Sequence, residues 1–107
     1  MSWTDTSGNF WLFGGIGGDS TGCCAGTLND LWEFGAGQWT WVSGSNLASQ
    51  SGAWGVLGTP APTNVPSARD SAQTWIDPYG NLWLFGGNGT DSTGATGQLN
   101  DLWVYEQ

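Results

Sequence analysis

The groups in this chain that could do chemistry are carboxylates, hydroxyls and indoles: the sequence holds nine acidic residues, nine tryptophans, one arginine, no lysine and no histidine. Without histidine or lysine, neither triad catalysis nor Schiff-base chemistry is open to it. Cys23 has no imidazole that would make it a thiolate. Two carboxylates could in principle hydrolyse a glycoside, but the acids mostly recur with an internal repeat, which marks them as structural. The chain is therefore expected not to be an enzyme.

A duplicated phrase offers the next possibility. Gly18-Asp19-Ser20-Thr21-Gly22 and Thr90-Asp91-Ser92-Thr93-Gly94 each place one carboxylate among hydroxyls, close in sequence to Asn29-Asp30 and Asn100-Asp101. Calcium takes six to eight oxygens, yet the spacing fits no EF-hand loop, so turn-making by Asp, Ser and Gly is expected. No cofactor is expected, calcium being the one candidate. Trp54, set among Ser and Gly in the middle of a long loop, is either a ligand contact or a cap. With Asp19, Asp91 and Asn46 it forms the expected binding set.

These residues hang on two near-copies of one block. Gly8-Asn9-Phe10-Trp11-Leu12-Phe13-Gly14-Gly15 returns as Gly80-Asn81-Leu82-Trp83-Leu84-Phe85-Gly86-Gly87. Leu28-Asn29-Asp30-Leu31-Trp32-Glu33-Phe34 returns as Leu99-Asn100-Asp101-Leu102-Trp103-Val104-Tyr105. Gly15 and Gly87 stand 72 residues apart and Trp32 and Trp103 stand 71 apart, so the copies differ by one loop residue. A repeat of this quality takes precedence over reading segments singly.

Each copy reads as short strands with glycine turns. Residues 2–5 and their counterparts 74–77 are β-leaning, the second strand having room to begin near Ala68. Turns at 6–9 and 78–81 use glycine for positive φ and asparagine for a side-chain bond to the backbone. The apolar strands at 10–13 and 82–85 are expected to end at the Gly-Gly pairs, with loops over 16–27 and 88–98. The Asn-Asp pairs are expected to set the turn from loop to strand, and Trp3, Trp11, Trp32, Trp75, Trp83 and Trp103 to be packing residues. A tight turn at 35–37 leads into 38–42, whose Trp/Thr alternation marks a strand, and 43–66 reads as loop. Seven strands result, with no helix signal. Strands apolar on both faces suit a sheet packed between other sheets.

Composition sets the outer bounds. A chain of 107 residues is one domain's worth. Its 19 glycines would suit a flexible segment, but 14% aromatic content points to ordered strands instead. A net charge of −8 leaves nothing to meet phosphates, so neither nucleic acid nor an anionic membrane is an expected partner. The sequence has no run of about 20 apolar residues, so no bilayer-spanning helix is expected. The acidic, lysine-free, Trp-rich character points to an extracellular or periplasmic setting. A bond between the adjacent Cys23 and Cys24 would close a strained ring, so two free thiols or a link to another chain are expected.

The ordered elements resemble the kelch repeat of β-propellers: a Gly-Gly pair closing the second strand, an aromatic third strand, and a tryptophan in the fourth, Trp39. The family's arginine at the start of the first strand corresponds to Arg69. The resemblance implies an all-β fold of four-stranded antiparallel blades. Residues 1–42 would form a first blade with a truncated first strand, 43–67 a long inter-blade loop, and 68–107 a three-stranded partial blade. The repeat of about 72 exceeds the roughly 50 residues usual for kelch, and a propeller takes typically 4–8 blades.

That shortage implies completion by other chains. The expected function is a non-catalytic structural and interaction module that self-assembles through blade packing and an open strand edge at Leu99, Leu102, Trp103 and Tyr105, into a ring or an extended array. The partners would be other copies, with a glycan or protein ligand as a further possibility. One alternative is a carbohydrate-binding propeller using the long-loop face. Another is an excerpt of a longer kelch propeller.

Overall fold

Short aromatic and β-branched runs separated by glycine turns favour strands throughout. The computed structural model describes every residue except Cys24 and contains, among the described residues, eight strands and no helix. β1 (Ser2–Thr4), β2 (Phe10–Gly17), β3 (Gly26–Gly35) and β4 (Gln38–Ser43) form a four-stranded antiparallel sheet in sequence order. The β3–β4 hairpin turns at Ala36 and Gly37, with φ of 51° and 75°. Two successive positive φ values match the right-handed twist of the strands they join.

The second sheet comprises β5 (Arg69–Asp70), β6 (Gln73–Ile76), β7 (Leu82–Thr90) and β8 (Thr96–Tyr105). β5 and β6 lie on the same edge of β7 in one continuous register, Arg69 opposite Gly89 and Gln73 opposite Phe85. They are one strand interrupted at Ser71, whose φ is 62°. The all-β expectation holds, with two antiparallel sheets, neither of them closed.

Both sheets carry the same irregularity. Phe13 pairs with Leu31 and Gly15 with Leu28, so Asn29 and Asp30 together oppose Gly14. Phe85 pairs with Leu102 and Gly87 with Leu99, so Asn100 and Asp101 oppose Gly86. These are β-bulges, one extra residue on one strand. Gly14 has φ of 59°, and a Cβ there would stand 2.7 Å from Leu28 O and 2.8 Å from Arg69 O. No side chain fits that position.

The bulges correct two expectations. The Asn-Asp pairs lie inside β3 and β8 and do not set a turn from loop to strand. The Gly-Gly pairs do not end the strands either: past the bulge the ladder resumes, from Gly15 opposite Leu28 to Gly17 opposite Gly26, and from Gly87 opposite Leu99 to Thr90 opposite Thr96. Backbone pairing carries strands through glycine-rich sequence whose side chains give no strand signal.

The sheets pack face to face. Trp3, Trp11, Phe13 and Leu31 of the first meet Leu82 and Leu84 of the second in one buried cluster. Trp3 Nε1 donates across the seam to Trp83 O at 3.0 Å, and the Trp11 and Tyr105 rings lie 5.4 Å apart. The six repeated tryptophans thus differ in burial: Trp3 and Trp11 are in the core, whereas Trp75 is 44% exposed. Only one face of each sheet is covered within the chain.

At the loop end of the seam lies Arg69, fully buried. All five of its N–H donors are used. Nε donates to Ser67 O at 3.0 Å, and Nη1 donates to Gly86 O at 3.0 Å and to Asp101 Oδ1 at 2.8 Å. Nη2 donates to Ser67 Oγ at 3.0 Å and to Asp101 Oδ2 at 2.6 Å. Removing one partner of such a pair strands the other charge, at a cost of about 3–5 kcal/mol. We expect Arg69→Met to lower stability by about that amount in urea titrations, and Arg69→Met with Asp101→Leu to cost less than the single changes summed. Full additivity would show that the pair is not coupled.

Candidate interaction surfaces

The long loops meet at one end of the sheets. Ser20 N donates to Asn46 O at 3.0 Å, and Asp19 Oδ2 accepts from Ala48 N at 2.8 Å. Asp19 Oδ1 accepts from both Thr21 N and Thr21 Oγ. Of the expected binding set, Asp19 and Asn46 are thereby joined as a tie between two loops. The phrase from Gly18 to Gly22 has the spelling Gly-x-Ser-x-Gly. It forms a turn closed by Gly22 N on Asp19 O, and no histidine exists to activate Ser20.

Trp54 and Asp91 form a second pair. They line an open groove of about 330 Å3, together with Ser92 and the 95–101 stretch that leads into and along β8. Trp54 lies against Trp103, ring centroids 5.2 Å apart, and its Nε1 donates to Ser51 O at 2.8 Å. Asp91 Oδ1 closes its own turn by accepting from Thr93 N, Thr93 Oγ1 and Ala95 N. Among the described residues no group of three or more His, Cys, Asp or Glu side chains gathers to hold a metal. Cys23 is disulfide-bonded, which corrects the free-thiol alternative. Ring strain weighs against vicinal closure, not against oxidation as such. The other half of that expectation falls on Cys24, outside the described residues.

The residues expected at the assembly edge point in different directions. Trp103 and Tyr105 lie on the inner face of the second sheet, where Trp103 meets Trp54 of the long connection and Tyr105 meets Trp11 of the first sheet. Leu102 pairs with Phe85 on the opposite face, and Leu99 is half-buried beside the groove. β8 pairs with β7 alone among the described residues.

Strand alternation sends a second set of apolar side chains outward from each sheet. On the first sheet these are Phe10, Leu12, Trp32, Phe34, Trp39 and Trp41. Their rings form rows: Phe10 stacks on Phe34 at 6.5 Å and 8°, Phe34 meets Trp39 at 5.0 Å, and Trp32 stacks on Trp41 at 6.3 Å. On the second sheet they are Trp75, Trp83, Phe85, Leu102 and Val104, with Trp75 stacked on Trp83 at 5.9 Å. None of these side chains is charged. Contiguous apolar faces of this kind mark interaction sites. Alternation alone could have located them, but nothing in the sequence said which face of each sheet would be covered.

The carboxylates hold turns and indoles, and two of them border these faces, Asp30 Oδ2 accepting from Trp32 Nε1 at 2.8 Å and Asp77 Oδ2 from Trp83 Nε1 at 2.9 Å. Asp5 Oδ1 accepts from Ser7 N and Asn9 N, and its Oδ2 from Trp11 Nε1, each at 2.9 Å. Asp77 repeats the pattern with Tyr79 N, Asn81 N and Trp83 Nε1. The side-chain bonds expected of Asn9 and Asn81 are thus made by the preceding aspartates, because an ionised carboxylate is the stronger acceptor. Burial pushes the Asp5 pKa upward, but bonds led by Trp11 leave it below its ordinary value. Asp77 is lowered chiefly by Trp83. At Asp101 burial again pushes upward, and Arg69 with Trp103 overcomes it. Asp19 and Asp91 are lowered chiefly by the Thr21 and Thr93 side chains.

Lowered folded pKa values mean that the unfolded chain binds protons first as pH falls. The stabilisation is complete above the ordinary carboxylate pKa of about 4 and is lost as pH drops through it toward the folded values. The carboxylates' contribution to the urea midpoint should stay level from about pH 7 to about pH 5 and fall below about pH 4. Asp77→Asn should make that fall shallower, and a midpoint that rises on acidification would contradict the assignment. No family model, curated protein or solved structure matches the chain, so its functional reading rests on its own residues.

Proposed function

We propose that this chain is a non-catalytic structural and interaction module, kelch-like in design, that works by associating with other copies of itself. The observation that carries the reading is the pair of aromatic-rich, largely apolar faces turned outward on opposite sides of the sheet pair. A propeller blade is a four-stranded antiparallel sheet that packs on a neighbour through each face. The β1–β4 sheet, its Gly-Gly bulge and its packing on a second such unit support a propeller-like ring or an open array. The free side of β8 supports strand addition as a further contact.

The magnitudes favour association through whole faces. Covering one half-exposed ring removes roughly 100 Å2 of apolar surface from water, or about 2 kcal/mol. Association costs about 4–15 kcal/mol in lost motional freedom. One ring cannot hold two copies, whereas a row of five or six can. The net charge of −8 opposes contact between copies, so added salt should favour assembly by screening that repulsion. The disulfide at Cys23 supports an oxidising, extracellular or periplasmic location.

The groove beside Trp54 favours a second reading, a carbohydrate site with Trp54 and Asp91 at its wall. The cap-like seat of Trp54 on Trp103 weighs against it, because the indole N–H is already engaged. Further blades of a longer chain would cover the same faces by the same packing.

Native mass spectrometry across concentration and ionic strength tests the main reading. We expect multiples of the chain mass that grow with both, whereas a monomer under all conditions would contradict self-association. Tryptophan fluorescence should not respond to added glycans; a saturable change abolished by Trp54→Ala would favour the carbohydrate reading instead.

A further inference from the structure

Resting on the self-association reading, we infer that copies join head to tail: the outer face of the first sheet in one copy docks on the outer face of the second sheet in the next. The occupant of each free face is thus a second copy, seated in the register that the two sheets already use within one chain.

The internal seam supplies the template, and it is made of two unlike faces. Its first half is Trp3, Trp11, Phe13 and Leu31. The repeat counterparts of these residues are Trp75, Trp83, Phe85 and Leu102, all on the outer face of the second sheet. Its other half is Leu82, Leu84, Trp103 and Tyr105. Their counterparts are Phe10, Leu12, Trp32 and Phe34, all on the outer face of the first sheet. Each chain therefore displays outward one copy of each half of its own core.

The exposures show how far the free copies differ from the covered ones. Trp11 and Phe13 are 4% and 3% exposed, and Phe85, the counterpart of Phe13, is 43%. Leu82 and Leu84 are 2% and 3% exposed, and their counterparts Phe10 and Leu12 are 54% and 41%. The free faces are chemically ready for the same contact. Val104 stands on the outer face of the second sheet where its counterpart Glu33 stands on the covered face of the first, and Gln73 stands where its counterpart Met1 does, so one polar side chain is lost and one gained. Leu12 and Leu102 correspond to Leu84 and Leu31, which share one cluster in the seam. They should meet across the contact between copies.

Head-to-tail contact has a consequence that face-to-like-face contact lacks. Every added copy covers one face of each kind and offers another, so growth does not stop at a dimer. It continues until a ring closes, or as an open array.

Two single variants separate the possibilities, measured by native mass spectrometry with near-ultraviolet circular dichroism to confirm that each folds. Leu12→Glu disables the outer face of the first sheet, and Leu102→Glu that of the second. Each variant alone should be monomeric. Mixed in equal amounts they should form a one-to-one complex of twice the chain mass and nothing larger, because each brings the face the other lacks. If the unaltered chain assembles but the mixture stays monomeric, or if either variant alone still dimerises, the head-to-tail assignment is overturned while self-association stands. A monomeric unaltered chain would overturn both. Should either variant misfold, Phe10→Gln and Phe85→Gln carry the same test on the same two faces.

Discussion

The seam between the two sheets is the contact on which the rest of the molecule depends. It sets Trp11, Phe13 and Leu31 against Leu82 and Leu84, and nothing else in the chain buries a comparable apolar cluster among the described residues. Polar groups fix its geometry. Arg69 closes the loop end by joining β5 to Gly86 of β7 and Asp101 of β8, while Asp5 and Asp77 engage the indoles of Trp11 and Trp83. The apolar contact supplies the driving force, and the charge-assisted bonds hold equivalent indoles in place whether they face inward, as Trp11 does, or outward, as Trp83 does. Because the halves of the seam are unlike faces of repeated sheets, packing two of them leaves one of each kind uncovered.

Much of this was legible in the repeat. The Gly-Gly and Asn-Asp blocks marked equivalent strands, and glycine turns at Gly8 and Gly80 separated them as expected, with φ of 86° and 85°. Periodicity could not say which face of each sheet would be buried. Phe10 through Phe13 are all apolar, so the two-residue alternation carries no inside-outside signal. The bulges were hidden for a related reason: glycine gives no strand signal, and the extra residue became visible only in the pairing of Leu28 and Leu31 with β2.

The polar ties were harder to read, because their partners are distant in sequence. Arg69 reaches Gly86 and Asp101, 17 and 32 residues away. Asn29 donates to Pro66 O and accepts from Ser45 N, anchoring the long connection between the sheets. Trp54, in a stretch without periodicity, rests on Trp103. The acidic residues that invited a reading as ligands or catalytic groups serve as turn locks and indole acceptors. Duplicated acids in duplicated turns are explained by folding before any ligand is invoked.

Hydroxyl-radical footprinting of the tryptophans, at dilute and concentrated protein, tests the central claim most directly. The account predicts that Trp3 and Trp11 are protected at both concentrations, while Trp39, Trp41 and Trp75 are labelled when dilute and become protected together as the chain is concentrated. Undiminished labelling of Trp39, Trp41 and Trp75 at every concentration would contradict it.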